Sequence, residues 1–385
     1  MNYNEESIKL HQKTRGKIEI KSKVNLITRD DLSLAYTPGV GAVCQEIAKN
    51  PSSSWTLTNR ANQVAIVTDG SAILGLGDLG PEAAMPVMEG KSIIFKEFAD
   101  IDAIPLCINT KNTEEIIQFC KNIEPSFAGI NLEDISAPRC FEILKRLEEE
   151  LNIPIFHDDQ DGTAIVALAA LINACQLTNK DIKTLKIVIN GAGAAGIAIA
   201  KLLYFYGIRD ITLVDSKEII CNLRLDLNPI KQEIIKQINH EKNIKTPDSS
   251  KICGNLEDAF VKTDVFIGVS VGNLVSKEMV KSMNANPIIL AMANPIPEIM
   301  PNDAYAAGAA IVGTGRSDFP NQINNALVFP GIFKGLLENK VKHVTKEMKI
   351  ATAIAIAQTI QPTKDQILPS ITNKKVVDAI AEVIR

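Results

Sequence analysis

The sequence has no CxxC spacing, no block of basic residues and no apolar run of membrane length, and each absence closes off a class of function. Seven cysteines (Cys44, Cys107, Cys120, Cys140, Cys175, Cys221 and Cys253) stand singly. They read as buried reduced thiols of a cytoplasmic protein, not as a zinc site or a disulfide framework. Lys and Arg number 41 against 45 Asp and Glu, a formal charge of −4. With no basic tract to follow a phosphate backbone, nucleic acid is not an expected partner. The start, MNYNEESIKLHQKTRGK, is too polar for a secretory segment or an anchor. Runs such as AIVALAALINAC fall short of the roughly 20 residues needed to span a bilayer, so no membrane is expected.

What is present suggests two α/β domains, since 385 residues exceed what one compact core accommodates. From residue 62 short β-branched runs alternate with amphipathic stretches. QVAIV, AIPLCIN, FAGIN and NIPIF read as strands. PEAAMPVMEGKSIIFKEFA reads as a helix broken at EGK, followed by the helices TEEIIQFCKNI and APRCFEILKRLEEEL. Such alternation predicts a parallel sheet, whose functional groups collect beyond the carboxyl ends of the strands. Acids stand at those ends: Asp69 after the first strand, Glu133 and Asp134 after the third, Asp158 and Asp159 after the fourth. Strand-end acids can simply cap the next helix. Two adjacent pairs on one edge favour a hard cation such as Mg2+ or Mn2+, which takes oxygen ligands. His157, beside them, reads as structural because such a cation prefers oxygen. Trp55 reads as packing or surface.

We place the division at residue 160, with 1–160 a substrate and metal domain and 161–385 a Rossmann-type domain with C-terminal helices. The strand Lys186–Asn190 runs into Gly191, Gly193 and Gly196, then a helix, then a strand ending at Asp215. In this βαβ setting the glycines, with Ala194 and Ala195, predict a pyrophosphate site at the helix N-terminus. Asp215 suits the adenosine ribose hydroxyls and disfavours a 2′-phosphate, which points to NAD over NADP, although Lys217 offsets part of that repulsion. Segments VSVGN and ANPIPEI end two later strands near where a nicotinamide would lie, or are ordinary turns. The tail from Glu347 has helical spacing and should pack on the body or on a partner subunit.

Eight ordered motifs, SLAYTPGVG, VTDGSAILGLGDLG, PVMEGK, NLEDI, HDDQDGTA, GAGAAG, ANPIPE and GRSDFPNQINN, make the sequence resemble the malic enzyme family in its short bacterial form. The resemblance implies oxidative decarboxylation of L-malate to pyruvate with NAD, in a homodimer, with Tyr36 near the partner subunit. It implies Glu133, Asp134 and Asp159 as metal ligands, with Asp158 orienting them. Lys91 matches the general base and Tyr36 the general acid. Asn294, Asn324 and Asn325 match malate or nicotinamide contacts, and Ser270 a cofactor contact. From the residues alone Lys91 and Lys96 were equal candidates until the EGK break and the family motif distinguished them. Burial and the metal are expected to depress the pKa of Lys91. An arginine that grips a malate carboxylate in the large form corresponds to Ala72 here, so the N–H groups of the Gly70 to Ile73 turn, with Asn324 and Asn325, are expected to take that role. A NADP-preferring enzyme and a malolactic enzyme are the alternatives.

Overall fold

The computed structural model describes residues 3–239 and 253–385. Four strands, β1 (Gln63–Thr68), β2 (Asp102–Cys107), β3 (Gly129–Leu132) and β4 (Ile155–His157), form a parallel sheet in the order β2-β1-β3-β4. Val64 lies opposite Ala103 on one side and Gly129 on the other. The run Val64–Val67 is apolar throughout because both faces of β1 are covered. A second parallel sheet holds β5 (Lys186–Asn190), β6 (Asp210–Val214), β7 (Val265–Gly268), β8 (Ile288–Ala291) and β9 (Ile311–Thr314), in the order β6-β5-β7-β8-β9. The last of these was not legible in the sequence, since IVGT is short and includes a glycine, a weak strand former.

The helix Pro81–Ala99 is continuous, so the break expected at EGK does not exist. Pro81 opens it, and Ala84, Met88, Lys91 and Phe95 recur at three- and four-residue spacing on its buried face. That packing holds the helix through Pro86 and Gly90, and it turns Lys91 inward.

Helix Thr163–Thr178 is apolar on every side, as a fully enclosed helix is. Together with the π-turn Asp158–Gly162 before it, it forms a 21-residue segment of membrane-spanning length and composition, longer than the apolar run in the sequence suggested. The segment is 72% buried inside the protein and packs as a core helix. Its side chains belong to one apolar cluster that includes Val64 and Ile66 of the first sheet and Ile187 and Ile189 of the second. The helix Phe329–Glu338 returns to the first sheet, where Phe329 and Phe333 stack on Phe95 at 4.7 and 5.4 Å between ring centroids. As expected of the tail, helices Lys346–Gln358 and Lys375–Val383 pack on the body.

One feature departs from the expectations. Cys221 and Cys253 form a disulfide, so these two are not the reduced thiols that their isolated positions suggested. They stand 32 residues apart in sequence, and only the fold around β6 brings them together. The N-terminal helices Tyr3–Thr14, Arg29–Ala35 and Val40–Lys49 bury none of their residues.

Candidate active site

Between the carboxyl ends of the two sheets lies a cavity of about 670 Å³. Glu133, Asp134 and Asp159 reach it from the ends of β3 and β4, with one oxygen from each lying within 4.8 Å of the others. Asp134 takes a positive φ of 51°, which aspartate tolerates better than most residues. Its N–H donates to Asp159 Oδ2 at 2.8 Å. Asp69, expected among these acids, is elsewhere: it pairs with Arg139 at 2.9 Å and takes the hydroxyl of Ser71. That pairing pins the loop after β1 and leaves the cluster to three carboxylates.

Behind the cluster Asp158 is wholly buried. The ammonium of Lys91 lies 2.5 Å from Asp158 Oδ2 and 3.0 Å from Glu133 Oε1, and 4.4 Å from the ring centroid of Phe329. Gly162 makes the close approach of Asp158 feasible, since a Cβ there would stand 1.9 Å from Asp158 Oδ1. Lys96 is on the exposed side of the same helix with Asp100 and Asp102, which removes it as a candidate.

Burial pulls the Lys91 pKa down, but the charges of Asp158 and Glu133 outweigh burial and hold it above the ordinary lysine range. Burial alone therefore does not depress the Lys91 pKa, because the two carboxylates it faces outweigh it. The acids show the converse. Burial, reinforced by the neighbouring carboxylates, pushes Glu133 up, Asp134 to about 8 and Asp158 to about 6, with Lys91 opposing. Asp134 Oδ2 and Asp158 Oδ1 are buried with no hydrogen-bond partner. Crowded, raised, partnerless oxygens fit a divalent cation as the missing countercharge. His157, fully buried and lowered in pKa by that burial, leaves both ring nitrogens unbonded and is 3.9 Å from Asp159.

The turn expected to receive a carboxylate has no N–H to offer. Gly70 N–H donates to Thr68 Oγ1, Ser71 to Asp69, Ala72 to the carbonyl of Asp134 and Ile73 to that of Gly77. That expectation is corrected: the same bonds that shape the loop consume its donors. Asn324 uses its side-chain oxygen to cap Ala326 N–H, while Asn294, Asn324 and Asn325 all line the cavity.

The opposite wall is the dinucleotide end. Helix Ala194–Tyr206 starts directly after Gly193, and Ala195 and Ser270 line the cavity. A Cβ on Gly196 would lie 1.7 Å from the carbonyl oxygen of Gly191, so the helix meets the turn as closely as a glycine permits. The N–H groups of its first turn have no acceptor within the helix and are available to phosphate oxygens. Ser270 accepts from Asn190 Nδ2 at 2.9 Å. Glu298, which the sequence showed only as the last residue of ANPIPE, accepts the N–H groups of Ser270 at 3.0 Å and Ala293 at 3.1 Å and so ties together the loops after β7 and β8.

Asp215 stands at the end of β6, where it takes Arg224 at 2.8 Å and Lys231 at 2.6 Å. Burial opposes its ionisation, yet these two cations hold its carboxyl well below the usual range. Neither cation was foreseen, because both come from the segment that follows the strand, 9 and 16 residues on.

Tyr36 stands apart. It ends the short helix Arg29–Ala35, is 66% exposed and does not line the cavity, so the single chain does not bring it to the other residues expected in the site.

Residues 15–148 match the family described as malic enzyme, N-terminal domain, and residues 160–384 the malic enzyme NAD binding domain. The chain is 50% identical to the bifunctional malic/malolactic enzyme of Bacillus subtilis, over all of this chain and 92% of that one. It is 52% identical to the NAD-dependent malic enzyme of Geobacillus stearothermophilus, over 96% of this chain and 76% of the relative. The crystal structure of the NAD-dependent malic enzyme of Thermotoga maritima superimposes with a TM-score of 0.92 at 46% identity, covering 98% of each chain.

Proposed function

This chain belongs to the malic enzyme family, and on that premise we propose how its residues divide the conversion of L-malate and NAD to pyruvate, carbon dioxide and NADH. The observation that carries the proposal is the placement of Lys91 against Asp158 and Glu133, with Asp134 and Asp159 beside Glu133 and the end of a dinucleotide-binding helix on the same cavity. The work divides near residue 160, with the metal-binding acids and Lys91 before it and the cofactor groups and the asparagines that face the substrate after it.

Glu133, Asp134 and Asp159 hold a divalent cation, Mg2+ or Mn2+, which when bound polarises the C2 oxygen of the substrate and eases loss of the distal carboxylate. Gly191, Gly193, Ala194, Ala195 and Gly196 would hold the pyrophosphate of NAD, with Ser270 and Asn294 toward its nicotinamide, which would supply the acceptor for the C2 hydride. Lys91 takes the proton of the C2 hydroxyl. Asp158, at 2.5 Å, keeps the amine aimed and can receive the proton that Lys91 must give up before it acts as a base. Asn294, Asn324 and Asn325 orient malate. The test is incubation with L-malate, Mn2+ and either cofactor: pyruvate and NADH appearing one for one support the reading, and no product from either cofactor overturns it. Lactate without NADH would establish instead the malolactic activity for which the Bacillus subtilis relative is also named.

Tyr36 protonates the enolate carbon, and we place it in the site of a partner subunit, in a cytoplasmic homodimer. Its exposure, together with exposed Ile20, Ile27 and Leu34 on the same N-terminal segment, leaves an apolar surface that this chain alone does not cover. In a two-fold dimer each site then combines Lys91 of one chain with Tyr36 of the other. Chains carrying Tyr36→Phe and chains carrying Lys91→Ala, each inactive alone, should recover about a quarter of wild-type activity when unfolded, mixed and refolded, because half the dimers are mixed and each mixed dimer has one intact site. No recovery, with mixed dimers demonstrated, would place Tyr36 in its own chain's site.

Arg224 and Lys231 neutralise much of the repulsion Asp215 offers to a 2′-phosphate. Arg224→Ala should therefore lower kcat/KM with NADP relative to NAD, by about 10- to 100-fold if one charged hydrogen bond is lost. Parallel kinetics with both cofactors measure the ratio, and an unchanged ratio would show that the segment after β6 plays no part in the choice.

A further inference from the structure

L-malate carries two carboxylates, and the cavity described above offers them few positive charges. Among the described residues lining it, the cationic side chains are Lys91 and Lys17. Lys91 is committed to Asp158 and Glu133. The N–H groups of the turn at 70–73 are spent within the protein. Lys17 is different. Its backbone N–H donates to Glu89 at 3.1 Å, which fixes the chain there, while among the described residues its ammonium donates only to the carbonyl of Pro86, at 2.7 Å. That leaves two of three ammonium protons without a protein acceptor. The ammonium rests over Gly90, 3.5 Å from where a Cβ would stand, one residue from Lys91. On the same wall His11 turns Nδ1 to the carbonyl of Ser7 at 2.7 Å and leaves Nε2 without a partner.

We propose that Lys17 binds the C1 carboxylate of malate, the one retained in pyruvate. The proposal rests on the malic enzyme reading above and adds a specificity-determining residue to it. The choice between the two carboxylates follows from the reaction. The distal carboxylate leaves as neutral carbon dioxide, so a cation fixed on it would stabilise malate more than the transition state and slow its departure. The C1 carboxylate keeps its charge from malate through the enolate to pyruvate, so a cation there contributes at every stage. It also selects 2-hydroxy acids that present a carboxylate at that point.

Lys17→Met and Lys17→Arg are compared with the wild type. Malate binding is measured by calorimetry with Mn2+ and NADH present, which requires no turnover, and KM, kcat and product inhibition by pyruvate are measured alongside. Lys17→Met should weaken malate binding and raise its KM by about 10- to 100-fold, the range for losing a hydrogen bond to a charged group. The pyruvate inhibition constant should rise by the same factor, with the KM for NAD and the melting temperature unchanged, and Lys17→Arg should restore most of the loss. Malate binding within twofold of wild type in Lys17→Met overturns the proposal. A loss confined to malate, with pyruvate unaffected, also overturns it, because it puts Lys17 on the departing carboxylate. If the wild type binds malate but does not turn it over, the catalytic reading fails while calorimetry still decides the role of Lys17.

Discussion

Lys91→Met should lower kcat by about 100- to 10,000-fold, the range a positioned acid or base contributes, with NADH binding intact. Methionine keeps an unbranched side chain of similar length against Phe329 but carries no proton. The structure makes this the most costly single change for two reasons. Among the described residues Lys91 is the only cation in contact with Asp158, which is wholly buried, and one of its bonds also reaches Glu133. Removing it leaves a buried carboxylate unpaired, a loss of about 3–5 kcal/mol when one member of a buried pair is deleted, unless that acid takes up a proton. Lys91→Ala with added methylamine separates chemistry from folding. An amine supplied from solution can occupy the vacated space and return part of the turnover, as a general base would require. A kcat within tenfold of wild type for Lys91→Met would remove Lys91 from proton transfer.

Mn2+ should raise the melting temperature, and raise it further at pH 8 than at pH 5. In the unfolded chain these carboxyls ionise near pH 4, whereas in the folded metal-free protein Asp158 is held up to about 6 and Asp134 to about 8. A raised folded pKa gives stability that is present below the unfolded value and lost as pH rises through the folded one. The metal-free protein should therefore lose stability between pH 4 and 8. A divalent cation binds the same oxygens only when they are deprotonated, so its contribution grows over that interval. At a concentration 100 times its dissociation constant it adds about 2.7 kcal/mol. Thermal unfolding with chelator and with Mn2+ at the two pH values measures the difference. Asp134→Asn and Asp159→Asn should abolish it. An equal shift at both pH values, or a shift surviving in Asp159→Asn, would mean that the metal binds elsewhere.

The first sheet and the acid cluster were legible because both rest on short-range patterns: four apolar runs, each ending in turn residues, put Glu133, Asp134 and Asp159 on one edge. The glycines of the dinucleotide turn were legible for the same reason. What escaped the sequence depends on residues far apart in it. Asp69 belongs to Arg139, 70 positions on, and no local pattern distinguishes it from the acids that do converge. The EGK break was expected from glycine's poor helix propensity, which the buried face of Pro81–Ala99 overrides. The raised Lys91 pKa, the Arg224 and Lys231 partners of Asp215 and the Cys221–Cys253 bond likewise follow from tertiary proximity. Glu298 gave a signal in its motif, but its role appears only with the two loops it joins.

The helix Thr163–Thr178 and the aromatic contacts of Phe329 and Phe333 make the two sheets share one apolar interior. Heating should therefore melt both halves in one cooperative transition, since neither can open without wetting surface that the other covers. A chain severed at residue 160 would not yield two stable pieces. The fragment beginning there would expose Ala164 to Leu171, eight consecutive residues that are all buried in the intact protein. The substrate and cofactor ends of the cavity are thus parts of a single folding unit, and their relative placement is set by the same packing that makes the protein stable.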